Sequence, residues 1–541
     1  MMQVAIVARI VYHDGALSYF RFLIVGLMRK LKVGVIDLLK KSYSKKLFSR
    51  YSAGQAMSVM PQVIAAWCAQ EGHEVHMAYH TGPVLFAGSL PDDLDIVFLS
   101  AYSESSLVAY ALAARFRAHG TVTVLGGPHA RSFPEDAQKY CDYVVGFADK
   151  ALIRDILQDC SFHRPLGQHL ANAGQPAALP SLQERWPYVM PALEKSFVKM
   201  IPMLGSLGCP YTCSFCIDAT VKYQPLDFET LKSDLRFLHD LKMPRSLVVW
   251  HDPNFAVRFD DYMGAFEEAV PPGSLRFLAE SSLSLLTESN VKRLQKNGFL
   301  VIAPGIESWY TEGAKSKMRK VRGEAKVKRV AEHVNMINSY IPFVQCNFIF
   351  GLDCDEGTDP FDLTKQFIER APGIYPYFSI LTAYGRNTVL NLDLQREGRV
   401  LNIPFHFLDL FRAMNVRPKH YDWRTFYDLI IDLYEHAFSY RSIARRFNAG
   451  SKFTVNLDSM MRGLFLERTF RLRAYRTLRG LMDTDPTMLP YLNGTTQTLP
   501  QHFINTVRHD LMDLWDWLPK DAVYHNPNAY LQAHGATTVI A

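Results

Sequence analysis

Short apolar runs and helical patterns alternate through most of the first 390 residues. That alternation admits few folds. A strand that returns through a helix lies parallel to its predecessor and needs helices on its faces. The sequence therefore predicts an α/β protein in three blocks. Residues 1–170 read as a doubly wound, Rossmann-like domain, and residues 171–198, rich in Pro and Ala, as a linker. Residues 199–390 read as a partial (β/α)6 barrel, and residues 391–541 as a mostly helical C-terminal domain.

In the first block the strand candidates are Gln3–Val11, Glu74–His80, Asp95–Tyr102, Val122–Gly127 and Asp142–Phe147. Open sheets bind ligands beyond the carboxyl ends of their strands. Here those loops are Ser100–Ser106, Gly126–Arg131 and Gly146–Lys150. The pair Gly126-Gly127 admits a ligand close to the backbone, and a plain tight turn explains it equally well. In the second block the strands are Lys199–Ser206, Ser246–Asp252, Leu275–Ser281, Leu300–Ser308, Phe343–Gly351 and Tyr377–Gly385. Helices are predicted between them at 228–241, 260–270, 285–297, 323–338 and 360–371. The aromatic stripes of the third block read as core.

Charge and cysteine usage bound the function. A formal charge of +6 over 541 residues indicates no nucleic-acid partner. Eight cysteines are too few for a disulfide scaffold, so five of them read as buried thiols in a reducing cytoplasm. No secretory leader and no run long enough to span a bilayer is seen. Two basic stretches stand out: an insertion from Arg29 to Arg50, with eight basic residues against Asp37, and a face formed by Arg468, Arg471, Arg473, Arg476 and Arg479. Either reads as a solvated face or as peripheral contact with an anionic membrane.

The remaining three cysteines sit in "GCPYTCSFCIDA", at Cys209, Cys213 and Cys216. Three thiolates are one short of a closed structural site, and an open coordination position marks a catalytic metal. A zinc site completed elsewhere is the competing reading. Against it, no second Cys-x-x-Cys or His pair lies nearby, and the loop follows the first strand of the barrel-like block, at the mouth where barrel chemistry occurs.

The spacing C-x-x-x-C-x-x-C, with Phe215 before the last cysteine, resembles the signature of the radical S-adenosylmethionine (SAM) enzymes. "WHDPNFA" (Asp252, Asn254) looks like the family segment near the SAM methionine group. The strand ends at Glu280 and at "GIES" (Glu307, Ser308), and "NFIFGLDCDE" (Phe350, Gly351), are similar to the segments that contact the rest of SAM. "ILTAYGRNTVL" is close to the family's last barrel strand, with Ala383-Tyr384 in place of a Pro-containing stretch.

The first block resembles the cobalamin-binding domain of one subclass, through "LGGPHARSFPE" and "DYVVGFAD". Here Phe147-Ala148-Asp149 replaces a usual Glu-x-Glu. The resemblance implies cobalamin contacts at Ser100, Tyr102, Ser103, Gly126, Gly127, Pro128, His129, Val145, Gly146 and Phe147. The motif that supplies a histidine to cobalt is absent, and His129 reads as a satisfied surface-loop histidine. "LQREGRVL" and the stretch after it are similar to the branch that includes the hopanoid methylases.

The resemblance implies a [4Fe–4S] cluster, SAM and cobalamin, and C-methylation of an unactivated carbon by way of a 5′-deoxyadenosyl radical and methylcobalamin. A cyclisation or rearrangement on the same scaffold, or an iron–sulfur or cobalamin-binding regulator, are the alternatives. The expected partners are a small-molecule substrate, apolar or lipid-derived, and a flavodoxin or ferredoxin as reductant, in the cytoplasm or at the inner face of the membrane. No sequence feature assigns a catalytic residue.

Overall fold

The computed structural model describes residues 29–39, 57–160, 165–219, 221–310, 321–450, 452–527 and 529. The first sheet contains β1 (Lys32–Leu39), β2 (Glu74–Thr81), β3 (Val84–Gly88), β4 (Ile96–Ser100), β5 (Val122–Gly126), β6 (Tyr143–Val145) and β7 (Gln168–Leu170). Their order is β3-β2-β1-β4-β5-β6-β7. All pairs are parallel except β2 with β3. The order reverses between β1 and β4, so a crevice opens beyond Asp37 and Ser100, which lie side by side.

This sheet corrects two sequence expectations. Lys32–Leu39, read as part of a basic insertion, is an interior strand between β2 and β4, and it is buried from Val33 to Leu39. The flanking cations hid it. Arg29 pairs with Asp95 at 2.8 Å and Lys32 with Asp93, so they cover the strand's entry and form no free basic face. The strand expected at Gln3–Val11 and residues 40–50 lie outside the described residues. The stretch 171–198, read as a linker, contains the helix Leu182–Lys195. A capping box starts it: Ser181 Oγ accepts from Glu184 N–H, and Glu184 accepts from Ser181 N–H at 2.8 Å. The buried Arg185 donates to Gln62 at 2.9 Å, which docks this helix on Val59–Gln70.

The second sheet follows. β8 (Lys199–Met203) leads into a small antiparallel pair, β9 (Ser206–Leu207) with β10 (Gln224–Pro225). β11 (Ser246–Trp250), β12 (Phe277–Ser281), β13 (Phe299–Glu307), β14 (Phe343–Phe350) and β15 (Tyr375–Ile380) complete six parallel strands in the order β15-β14-β13-β12-β11-β8. Among the described residues β15 and β8 do not pair, so the barrel stays open. It is a partial barrel and not a closed TIM barrel.

Aromatic side chains fix its outer face. Trp250, Phe255, Phe266, Phe277 and Phe299 interlock between the strands and the helix Phe259–Ala269, with ring centroids 4.9 to 6.3 Å apart. Each buried aromatic contributes roughly 1.5–3 kcal/mol, which holds the strands in register.

The open edge at β15 is covered by the C-terminal helices. Leu410 O accepts from Ile380 N–H at 2.9 Å, Tyr434 Oη donates to Phe378 O at 3.4 Å, and Arg446 Nε donates to Ile374 O at 2.8 Å. An edge strand is thereby satisfied without a seventh partner. These helices include a π-helical stretch, Arg462–Arg471. The second basic face dissolves here. Arg471 pairs with Glu467, Arg476 with Glu435 and Arg479 with Asp428 and Asp483, so three of its five arginines are neutralised within the fold. Among the described residues no helix is long and apolar enough to cross a membrane.

Candidate functional site

The cysteine loop leaves the barrel at the end of β8 and is tied at its base. Cys209 N–H donates to Val221 O at 3.2 Å, and Leu226 N–H to Gly205 O at 2.8 Å. Gly208 has φ +66°, and a Cβ there would lie 2.4 Å from Lys222 O, so the hairpin closes only over a glycine. Within the loop, Cys216 N–H donates to Cys213 O at 3.0 Å, and Asp218 N–H to Cys216 Sγ at 3.4 Å. Cys209 is buried, whereas Cys213, Phe215 and Cys216 are half-buried. Among the described residues no three His, Cys, Asp or Glu side chains converge on a single metal ion. Thiolates that each hold a different iron of one cluster need no such convergence. A closed loop offering three thiols, one already receiving an N–H, fits a thiolate-held cluster.

The strand ends differ from one another in what they do. Asp252 accepts from Gly205 N–H at 2.9 Å and from the Ser206 hydroxyl, and burial pushes its carboxyl up to about 6. It pins the turn that launches the cysteine loop. Asn254 accepts from Ser282 N–H at 2.9 Å and joins the ends of β11 and β12. Glu280 is exposed at the end of β12, and Glu307 is half-buried at the end of β13. Next to it, Lys326, only 2 % exposed, donates to Ser308 O, and burial lowers its ammonium to about 8. Gly351 is held by Asp355, which accepts from the Gly351 and Leu352 N–H groups. Phe350 corrects its expectation: the ring stacks on Phe361 at 5.0 Å on the outer face, so its side chain is core.

Asp252 therefore carries a prediction. Asp252→Ala leaves a buried N–H and a hydroxyl without their acceptor, at about 1–3 kcal/mol each. The melting temperature and the bound iron per chain are both expected to fall, read by calorimetry and iron assay. Full iron content at an unchanged melting temperature would remove this anchoring role.

The first domain gathers its expected residues at one end of the sheet. Ser100, Tyr102, Gly126, Gly127, Pro128, Gly146 and Phe147 are half-buried there, while Ser103 and Val145 are buried. A Cβ at Gly126 would meet only Val145 O, at 3.9 Å, so the crevice above it is open. That cradle fits a large planar ligand. His129 is corrected: it is fully buried, not a surface-loop residue. Its Nε2 lies 2.6 Å from Tyr110 Oη and its ring packs on Phe133 and Phe405. Burial pushes its imidazole down to about 3, and the ring is committed to this seam. Asp149, in the segment that departs from Glu-x-Glu, caps the helix Lys150–Asp159 through Leu152 N–H at 2.9 Å.

Arg131 joins the two halves, and sequence reasoning missed it. It stacks over Phe147 of the cradle at 4.4 Å and reaches the cysteine loop, at 3.3 Å to Ile217 O and 3.5 Å to Asp218. The loop is held from other sides by Leu390 N–H, which donates to Ser214 O at 3.0 Å, and by the Tyr211 and Ser284 hydroxyls at 3.4 Å. Arg131 lies within the quoted "GGPHARSFPE"; only the fold reveals its far partner. His251 was missed as well. Trp250 packs outward, so the next side chain faces the barrel interior, and burial holds its imidazole down at about 4, hence neutral. Of the half-exposed thiols outside the motif, Cys160 and Cys354 depart from the expected burial.

No family model matches the chain. Bacteriochlorophyllide d C-12(1)-methyltransferase of Chlorobaculum tepidum is 23% identical over 388 residues, covering 70% of this chain and 76% of the relative. Bacteriochlorophyllide d C-8(2)-methyltransferase of the same organism is 25% identical over 306 residues, 54% of this chain and 66% of the relative. Among solved structures, the cobalamin-dependent S-adenosylmethionine radical enzyme OxsB superposes with TM-score 0.52 at 12% identity, covering 95% of this chain and 85% of OxsB. Its form with aqua-cobalamin and S-adenosylmethionine bound gives 0.51 at 13% identity, covering 91% and 85%. These likenesses establish the fold.

Proposed function

We infer that this chain, a cobalamin-dependent radical SAM enzyme, is a methyltransferase acting on an unactivated carbon of a small, apolar molecule. The observation that carries the reading is the Arg131 bridge, which mounts the open cradle of the first domain against the three-cysteine loop. A methyl donor and a generator of carbon radicals are useful together only when one substrate carbon can meet both. When bound, the [4Fe–4S] cluster with SAM supplies a hydrogen-abstracting radical, and cobalamin supplies the methyl group.

The protein's part is positional. Cys209, Cys213 and Cys216 hold the cluster. Glu280, Glu307 and Ser308 at the strand ends, with Phe215 and the Asp252 and Asn254 braces, orient SAM. Ser100, Tyr102, Gly126, Gly127 and Gly146 shape the cradle. The curated relatives act on bacteriochlorophyllide d, an apolar ring, which supports an apolar substrate here. A flavodoxin- or ferredoxin-type donor supplies the electron, and a reducing cytoplasm suits the cluster. Arg29, Lys32, Arg471, Arg476 and Arg479 of the two basic stretches pair within the fold and lend no support to membrane contact, while the cations of the first stretch at 40–50 lie outside the described residues.

The test uses full-length protein, reconstituted anaerobically with iron, sulfide and cobalamin, reduced flavodoxin and SAM, with bacteriochlorophyllide d as candidate acceptor. S-adenosylhomocysteine and 5′-deoxyadenosine are both expected. 5′-Deoxyadenosine without S-adenosylhomocysteine would replace methyl transfer by a rearrangement.

A further inference from the structure

Burial alternates along β12 and, from Val344 onward, along β14. Along β14, Cys346, Phe348 and Phe350 are buried against helices, while Gln345, Asn347 and Ile349 are half-exposed. Leu278 on β12, Val301 and Gly305 on β13, and Tyr377 on β15 share that inner face by register and are half-exposed too. The inner face is therefore partly accessible and of mixed polarity from Gln345 to Ile349, while Phe343 and Tyr375 on the same face are buried against each other, with ring centroids 5.5 Å apart.

At the β14–β15 end this face meets an excess of positive charge. Arg446, Arg462 and Arg471 surround Tyr375 and Tyr377. Arg446 lies 5.4 Å and Arg462 4.8 Å from the Tyr375 ring, and Arg471 lies 4.6 Å from that of Tyr377. Among the described residues, Glu467 is the one carboxylate paired with any of them. It binds Arg471 through both oxygens at 2.9 Å and accepts from Tyr375 Oη at 3.0 Å. Three guanidiniums thus face one carboxylate, two of them, Arg446 and Arg471, largely out of water. Burying charge without a counter-charge is costly unless something supplies it. Arg446, 4 % exposed, carries a buried Nη1 with no acceptor. Arg462 is half-exposed and donates to Gln345 Oε1 at 3.1 Å, and Gln345 donates on to Asn347 at 2.9 Å. The row is polarised along the inner face of β14, from Arg462 toward the strand end.

We propose that this inner face of β14 and β15 is the substrate subsite, and that Arg462, backed by Arg446 and Arg471, receives a carboxylate of an otherwise apolar substrate. A guanidinium fork beside an amide suits a planar acceptor with two oxygens. Leu278, Val301, Ile349 and Tyr377 supply the apolar wall beside it. From Gln345 to the end of β14 is five residues, a rise of about 17 Å. A substrate anchored there must therefore be long or broad to present its carbon at the mouth. The proposal rests on the methyltransferase reading and fails separately from it.

The experiment measures binding, without turnover. The probes are pheophorbide a, an apolar ring with one free carboxylate, and its methyl ester, titrated by fluorescence into full-length wild-type, Arg462→Gln and Arg462→Lys proteins. The free acid is expected to bind wild type about tenfold or more tightly than the ester. Arg462→Gln should remove that preference while leaving ester binding unchanged, and Arg462→Lys should restore part of it. Equal affinities in wild type, a preference that survives Arg462→Gln, or no saturable binding of either probe overturns the proposal. Should Arg462→Gln fail to fold by circular dichroism, the acid-to-ester ratio in wild type decides alone. The methyltransferase reading falls instead on the absence of S-adenosylhomocysteine.

Discussion

Replacing any one of Cys209, Cys213 and Cys216 by Ala is expected to abolish SAM cleavage, by more than about 100-fold, because losing even an outer-sphere partner of a metal ligand costs 10–100-fold. The three should act as a unit, since each side chain would hold a different iron of one cluster. The five other cysteines provide the control. Burial raises the thiols of Cys68, Cys141 and Cys346 far above the range where a thiolate forms, and that of Cys354 is raised as well. Ala at Cys68, Cys141, Cys160, Cys346 or Cys354 should leave 5′-deoxyadenosine release within about twofold of wild type, the small shift expected of a substitution away from the site. The measurements are iron and sulfide per chain and 5′-deoxyadenosine release under anaerobic reduction. A Cys213→Ala protein with full cluster content would overturn the assignment.

The barrel strands were legible because their outer faces are apolar and their ends carry distinctive turns. The motif at Cys209–Cys216 was legible because its spacing is a local property. The interior strand Lys32–Leu39 of the first sheet was not. "KVGVIDLL" sits among cations, so its neighbours read as a basic insertion, although Arg29 and Lys32 merely neutralise Asp95 and Asp93. The helix Leu182–Lys195 was hidden by Pro187 and Pro191, which a capping box and docking on Val59–Gln70 outweigh. His129 misled for a related reason: a histidine in a Gly-Pro turn reads as exposed, yet residues from Tyr110 to Phe405 close over it. Arg131 and the Arg446–Arg462–Arg471 cluster join segments far apart in sequence, and only tertiary packing states that relation.

Gly126→Leu should cost the protein its cobalamin and its methyl transfer while leaving the cluster loop intact. The structure separates this position from its neighbour. Gly127 has φ +91°, and a Cβ there would lie 2.9 Å from Ala101 O and 3.0 Å from Ala101 N. Gly127→Ala therefore strains the protein's own backbone, by about 1–3 kcal/mol, and displaces the loop at the end of β4 whether or not cobalamin is present. A Cβ at Gly126 meets only Val145 O at 3.9 Å, and Gly126 ends β5 opposite Ser100, so a longer side chain extends into the open crevice. Gly126→Leu should melt within about 3 °C of wild type, since little protein is displaced. Its cobalamin retention after anaerobic loading and desalting should drop below about 1%, a loss near 2.7 kcal/mol, because ligand and side chain compete for one volume. Gly127→Ala should lower both the melting temperature and cobalamin retention. If Gly126→Leu retains cobalamin at the wild-type level, the ligand does not lie over β5, and the cradle drawn from Ser100, Gly126 and Gly146 is wrong.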